Sequence, residues 1–135
     1  MDEAKSKLDE SKKNLNEGMY YTALSLDFQA RIAIRHVDWY LDVKNEADLE
    51  NLLKKVDTEI KDTENYVSNL TIKGITMLQA VAASEERLEQ AKSLLKDAWS
   101  SYYDGNYWDA ISNAAFAYER IQTARFWASL GERYA

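Results

Sequence analysis

Apolar residues recur along most of this chain at intervals of three and four, the spacing that gathers them on one side of an α-helix. Ala4, Leu8, Ser11 and Leu15 trace a narrow face, with Lys5, Lys7, Glu10, Lys12 and Lys13 around the rest, which predicts a peripheral amphipathic helix stopped at Gly18. A second helix is predicted from about Met19 to Leu41 on the series Ala23, Leu26, Ala30, Ile34, Val37 and Leu41. The polar run from Asp42 to Asp48 reads as a connection. Leu49, Leu52, Val56, Ile60, Val67 and Leu70 then predict a long third helix over about 47–73, with Gly74 as its C-cap. Leu78, Val81, Leu88, Ala91, Leu95, Ala98 and Tyr102 predict a fourth that closes at Asp104-Gly105. The last starts near Tyr107 and carries Ala110, Ala114, Ala117, Ile121, Ala124 and Ala128 on one face.

The pattern also repeats. At an offset of 87 residues, that from Gly18 to Gly105, Ala4-Lys5-Ser6 returns as Ala91-Lys92-Ser93, Leu8 as Leu95 and Tyr20 as Tyr107. Ala23 returns as Ala110, Ala30 as Ala117 and Ile34 as Ile121. Both copies read as helix, Gly-x-Tyr-x-x-Ala, helix. Glycine supplies the left-handed conformation that stops the first helix, tyrosine covers the open end of the hairpin, and the small alanine lets the backbones approach. Tetratricopeptide repeats use the same turn logic, although at a period of about 34 residues. The expectation is an all-α, five-helix, bundle-like domain over residues 1–135. Hairpin 1 would span about 2–41 and hairpin 2 about 76–130, wrapped around the long third helix.

Composition changes this picture little and bounds it usefully. A chain of 135 residues has the size of one domain with a core of its own. It has no proline, so nothing in the predicted helices interrupts their hydrogen bonding. Without cysteine there is neither a disulfide framework nor a thiolate metal site, and the compartment stays open. A net charge of −6 argues against nucleic acid as a partner, because that affinity depends on clustered Lys and Arg. No apolar window is long enough for a membrane span, and Met1-Asp2-Glu3-Ala4-Lys5 lacks the apolar core of a signal peptide. A soluble segment without membrane insertion is therefore expected.

Candidate chemistry is sparse. The single histidine lies in Arg31-Ile32-Ala33-Ile34-Arg35-His36, which fits the loose Arg-x(4–6)-His pattern of HEPN-type ribonucleases. Those enzymes place a polar residue after the arginine and carry the motif near the start of a late helix, whereas here Ile32 follows and the helix is the second. Solvated helix residues are the simpler reading. Glu85, Glu86 and Glu89 share helical spacing, but di-iron bundles require Glu-x-x-His pairs, and a charged solvent face explains the three better. No Gly-rich phosphate loop is present. No catalytic residue, cofactor or metal is therefore expected. Asp27 falls on the apolar side of the second helix, where an ion pair with Arg31 is expected. Asn69-Leu70-Thr71 matches the glycosylation sequon, but a helical setting argues against its use.

Aromatic residues crowd both predicted turns: Tyr20 and Tyr21 at the first, and Tyr102, Tyr103, Tyr107 and Trp108 at the second. Such clusters are expected to form core. A separate stripe of Phe28, Ile32 and Trp39 lies opposite the alanine-rich face of the second helix, and Phe116, Arg120 and Trp127 lie similarly on the last. Helices apolar on both sides are either central to a bundle or offered to a partner. These six residues are the candidate interface, since Trp, Tyr and Arg dominate binding energy at protein surfaces.

The segments Gly18-Met19-Tyr20-Tyr21-Thr22-Ala23-Leu24-Ser25-Leu26-Asp27-Phe28-Gln29-Ala30 and Leu78-Gln79-Ala80-Val81-Ala82-Ala83-Ser84-Glu85-Glu86-Arg87 carry a family resemblance. So does Ala114-Ala115-Phe116-Ala117-Tyr118-Glu119-Arg120. The chain resembles the helical region that follows the protease domain in archaeal Lon-like serine proteases. In that family a serine–lysine dyad works within an α/β domain, and nothing in this chain matches that domain. The resemblance implies a non-catalytic accessory region whose parent hydrolyses peptide bonds. Its partners would be a protease domain, a substrate protein or another subunit, with oligomer formation open. The alternatives are a stand-alone helical-repeat module that binds peptides and, on Arg31 and His36, a ribonuclease.

Overall fold

Two Asn-x-x-Asp sequences begin two of the helices. Asn45 Oδ1 accepts a hydrogen bond from Asp48 N at 2.8 Å, and Asn106 Oδ1 accepts one from Asp109 N at 3.2 Å. Each asparagine thereby satisfies one of the amide groups that the first turn leaves without a carbonyl partner. Acidic Glu46, Asp48 and Asp109 in those first turns complement the positive end of the helix dipole.

A computed structural model describes residues 2–16 and 20–134, and the side chains of residues 2–12 and 25–134. Five helices occur among the described residues: α1 (Asp2–Asn16), α2 (Tyr20–Asp42), α3 (Glu46–Ser68), α4 (Ile75–Tyr103) and α5 (Tyr107–Tyr134). No strand occurs among the described residues. The expected all-helical class and five helices are therefore found. Gly18 lies outside the described residues, and so do the side chains of Tyr20 and Ala23.

One boundary is corrected. The third helix ends at Ser68 with Asn69 as its cap, five residues before the end read from the sequence. Gly74 does not terminate it. With φ 164 and ψ −174 this glycine is extended, and its carbonyl accepts from Leu78 N at 3.0 Å as the N-cap of α4. The 3₁₀-type bond from Leu70 N to Val67 O at 3.2 Å tightens the end of α3 earlier than the hydrophobic pattern suggests.

The chain divides into two compact units, residues 1–44 and 45–135. In the first, α1 packs on α2, with Ala4, Ser11 and Ala30 buried. Leu41, expected on the same stripe, is 68% exposed because it lies in the last turn of α2.

In the second unit α3, α4 and α5 pack on one another in pairs. Four contacts between them fix their directions. Ser84 with Ala124 and Ala80 with Gly131 make α4 and α5 antiparallel, while Glu59 with Arg125 and Tyr66 with Glu132 make α3 and α5 parallel. Ala110, Ala114, Ala117, Ile121, Ala124 and Ala128 of α5 are fully buried, as the periodicity predicts, and their small side chains let α4 approach closely. Leu49, Leu53, Val56, Ile111 and Ile121 are the largest apolar side chains removed from water, each contributing about 1.5–3 kcal/mol of transfer free energy. Leu78 departs from its predicted place at 53% exposure, since Met77, about 100° round the helix from it, points inward.

Two hydroxyl groups buried in this unit have defined partners. Ser84 Oγ donates to the carbonyl of Ala124 at 2.8 Å, tying α4 to α5. Thr63 Oγ1 donates to Glu59 O at 2.8 Å and accepts from Arg125 Nε at 2.7 Å, while Arg125 Nη2 pairs with Glu59 Oε2 at 2.8 Å. A buried hydroxyl without such bonds would cost about 1–3 kcal/mol.

Candidate interaction surface

The α4–α5 turn explains why a cluster of aromatic rings gathers at one end of the second unit. Gly105 has φ +78, the left-handed conformation. Its N–H bonds to Tyr102 O at 3.1 Å and the following Asn106 N–H to Ser101 O at 2.9 Å, the pair of bonds of a Schellman motif. Gly105 therefore plays the helix-stopping role predicted for it, and Asn106 starts α5 at once. The chain turns within three residues and brings the last turn of α4 against the first turn of α5.

Trp99, Tyr102, Tyr103 and Tyr107 meet there. Trp99 and Tyr103 stack with centroids 6.0 Å apart and planes at 25°, while Tyr102 meets Trp99 edge-on at 5.6 Å. Tyr102 lies 5.3 Å from Tyr103 and 6.2 Å from Tyr107. The expectation that these residues form core is corrected: Tyr103 is 77% exposed, Trp108 50%, and Tyr107 is exposed as well. Tyr102 is half-buried, whereas Tyr103, about 100° further round the helix, faces water.

The charged residues nearest the turn are acidic, while Lys96 lies one helical turn before Trp99. Tyr102 Oη donates to Glu46 Oε1 at 3.2 Å. Partial burial, then the negative charge of Glu46 and the hydrogen bond to it, with Glu50 adding, push the Tyr102 hydroxyl above its ordinary range. Glu50 is also paired with Lys54 at 3.1 Å. Asp104 caps α4, and Asp109 accepts from Asn106 Nδ2 at 2.6 Å. From Asp97 to Glu119 the chain has no lysine or arginine.

No family model, curated protein or solved structure matches this chain.

The six residues singled out from the sequence as an interface sit differently. Phe28, Ile32 and Trp39 on α2 and Phe116, Arg120 and Trp127 on α5 are all half-buried. Arg35 lies over the Trp39 ring at 5.5 Å, and Arg120 over the Phe116 ring at 5.2 Å. Burial, reinforced by the charge of Arg87, lowers the Arg120 guanidinium from its usual range. Trp127 meets Phe126 edge-on at 5.9 Å. The most exposed aromatic surface lies at the turn instead. One signal for it was present in the sequence: five aromatic residues, Trp99, Tyr102, Tyr103, Tyr107 and Trp108, within a stretch free of basic ones.

The remaining candidates are quickly placed. Arg31 is exposed and His36 half-buried on α2, and five positions of a helix separate side chains by about 140°, so the two do not share a face. Among the described residues no ion pair joins Asp27 to Arg31, and no three His, Cys, Asp or Glu side chains are grouped to hold a metal. Glu85, Glu86 and Glu89 are exposed along α4 beside a shallow groove shared with α3. There Lys92 bridges Glu64 and Glu89 at 3.1 Å each, and those two bonds raise its ammonium above the ordinary lysine range. Asn69 of the sequon is exposed at the end of α3 rather than inside a helix, which removes the helical objection. No helix among the described residues is long and apolar enough to cross a membrane.

Proposed function

We propose that this chain is a non-catalytic helical protein–protein interaction domain, the accessory region of a Lon-like serine protease of the archaeal type. The parent would hydrolyse peptide bonds, and this region would engage the protease domain, a substrate or another subunit. One observation carries the interaction reading: Trp99, Tyr102, Tyr103, Tyr107 and Trp108 gather around the α4–α5 turn, with Tyr103 largely and Trp108 half open to solvent. Exposed aromatic groups cost solubility unless a partner covers them, and tyrosine and tryptophan are the residues around which interfaces are anchored. The protease context rests on the sequence resemblance.

The same proposal includes an origin by duplication of a helical hairpin in a bundle-like arrangement. Burial at matched positions supports it, since Ala4 and Ala91, Ser11 and Ala98, and Ala30 and Ala117 are all removed from solvent.

The test is a calorimetric titration of the chain into the protease domain of an archaeal Lon-like protease stripped of its own helical region. Binding that disappears with Tyr103→Ser supports the proposal. Absence of binding by the unaltered chain sinks the accessory role. Turnover of casein or RNA by the purified chain alone would overturn the non-catalytic reading, and loss of RNA cleavage in His36→Ala would assign it to the ribonuclease pattern.

A further inference from the structure

The aromatic cluster at the α4–α5 turn has an electrostatic character that selects its partner. Trp99 and Tyr103 stack on each other at the rim of the unit, and Tyr103 leaves most of its ring in solvent. The faces of such rings carry the negative end of an aromatic quadrupole and attract cations. Around them stand Glu46, hydrogen-bonded to Tyr102, and Glu50, with Asp104 at the turn and Asp109 in the first turn of α5. Lys54 engages Glu50 from one turn further along α3, and the nearest basic residue on α4 is Lys96. Neither the stretch from Asp97 to Glu119 nor that from Asn45 to Leu53 contains a lysine or arginine. Lys54 is held by Glu50, and Lys96 lies one turn before Trp99 on the same stripe of α4, but nearest the turn an acidic partner would meet Glu46, Asp104 and Asp109, whereas an arginine has both a ring to lie on and carboxylates to bond.

We propose that this surface binds an arginine-rich or lysine-rich peptide segment, with a guanidinium laid on the Trp99–Tyr103 stack and a neighbouring cation held by Glu46 and Asp104. Arginine suits the site better than lysine, because its planar group stacks on a ring while donating to carboxylates at its edge. The assignment rests on the interaction reading above and gives the partner its charge. Electrostatic complementarity of this kind speeds association and rejects acidic competitors more than it strengthens the final complex.

The probes are three short synthetic peptides of equal length, alternating serine with arginine, glutamate or leucine. Each is titrated into the full chain and followed by amide and indole resonances. The arginine peptide is expected to shift Trp99 and Tyr103 first. Its affinity should fall about tenfold with Tyr103→Ser, by a similar factor with Glu46→Gln combined with Asp104→Asn, and several-fold on moving from low to high salt. Circular dichroism of each variant checks that the helices persist. Equal binding of the leucine peptide at the same residues without salt dependence would overturn the cationic assignment and leave an interaction surface standing. Binding of the glutamate peptide would overturn it as well. So would arginine-peptide shifts centred on Glu85, Glu86 and Glu89, or a dimer in sedimentation that Tyr103→Ser disperses, the occupant then being a second copy. If no peptide binds and the chain stays monomeric, this inference falls, while the titration into the protease domain decides the interaction reading separately.

Discussion

Gly131 lies directly against Ala80. A methyl group placed on Gly131 would collide with the Ala80 Cβ and stand 3.0 Å from Met77 Sδ, so the last turns of α5 and the first turns of α4 meet with no room for a side chain. Replacing a helical glycine by alanine ordinarily gains about 0.5–1 kcal/mol, while overpacking a close contact costs about 1–3 kcal/mol. The clash is the larger effect. Gly131→Ala should destabilise the second unit by about 1–2 kcal/mol in urea unfolding, and adding Ala80→Gly should recover part of that loss. A stabilised Gly131→Ala variant would refute the close approach.

Gly105 depends on glycine for a different reason. Nothing lies near a Cβ built there, but its φ of +78 is strained for any other L-residue. Gly105→Ala is expected to cost about 1–2 kcal/mol through the backbone alone, and Gly105→Asn less, because asparagine tolerates the left-handed region. Thermal unfolding of the two variants side by side gives the check, and equal losses would show that side-chain packing rather than φ sets the cost.

Arg125 links α5 to α3 through Thr63 and Glu59. Both charged groups are partly open to solvent, which reduces the Coulombic gain, but the bonds at 2.7 and 2.8 Å join separate helices. Arg125→Met should lose about 1–2 kcal/mol, and a double-mutant cycle with Glu59→Gln should yield a coupling of about 1 kcal/mol that shrinks in high salt. A coupling of zero would mean that the pair orients the helices without stabilising them.

Tyr66 donates its hydroxyl to Glu132 and thereby joins α3 to the end of α5. That bond, with smaller contributions from burial and from the carboxylate charge, pushes the Tyr66 hydroxyl up to about 12 from an ordinary 10.0. The folded state therefore holds this proton more tightly than the unfolded chain does. The resulting stability is fully present below about pH 10 and is lost as pH rises through about 12. A carbon NMR titration of the tyrosine Cζ resonances should find Tyr66 ionising well above the ordinary range, and Glu132→Gln should bring it back down. An unshifted Tyr66 in the unaltered protein would contradict the bond.

Much of the architecture was readable from spacing. The alanine stripe of α5 and the series Leu49, Val56, Ile60, Val67 of α3 are buried as the periodicity predicts, because a residue repeated every turn has only one side on which to hide. Gly105 was legible too, since glycine at the end of an apolar series supplies a conformation few other residues tolerate. Gly74 misled because the sequence shows that a glycine interrupts two helices, not which of the two it belongs to. Asn69 and Leu70 had already closed α3 through their own hydrogen bonds.

The candidate surface was legible only as composition. The sequence by itself determined that the described residues are helical, where most core positions lie and that the α4–α5 turn carries aromatic residues, all of these being local properties of residues a few places apart. Only the tertiary structure decided that Tyr103 and Trp108 face water while Thr63, Ser84 and Glu119 are buried, and that Arg125 reaches Glu59 across a gap of 66 residues. Exposure depends on which neighbouring helix covers a given side, and that is set by the summed packing of α3, α4 and α5, which no interval of three or four residues encodes.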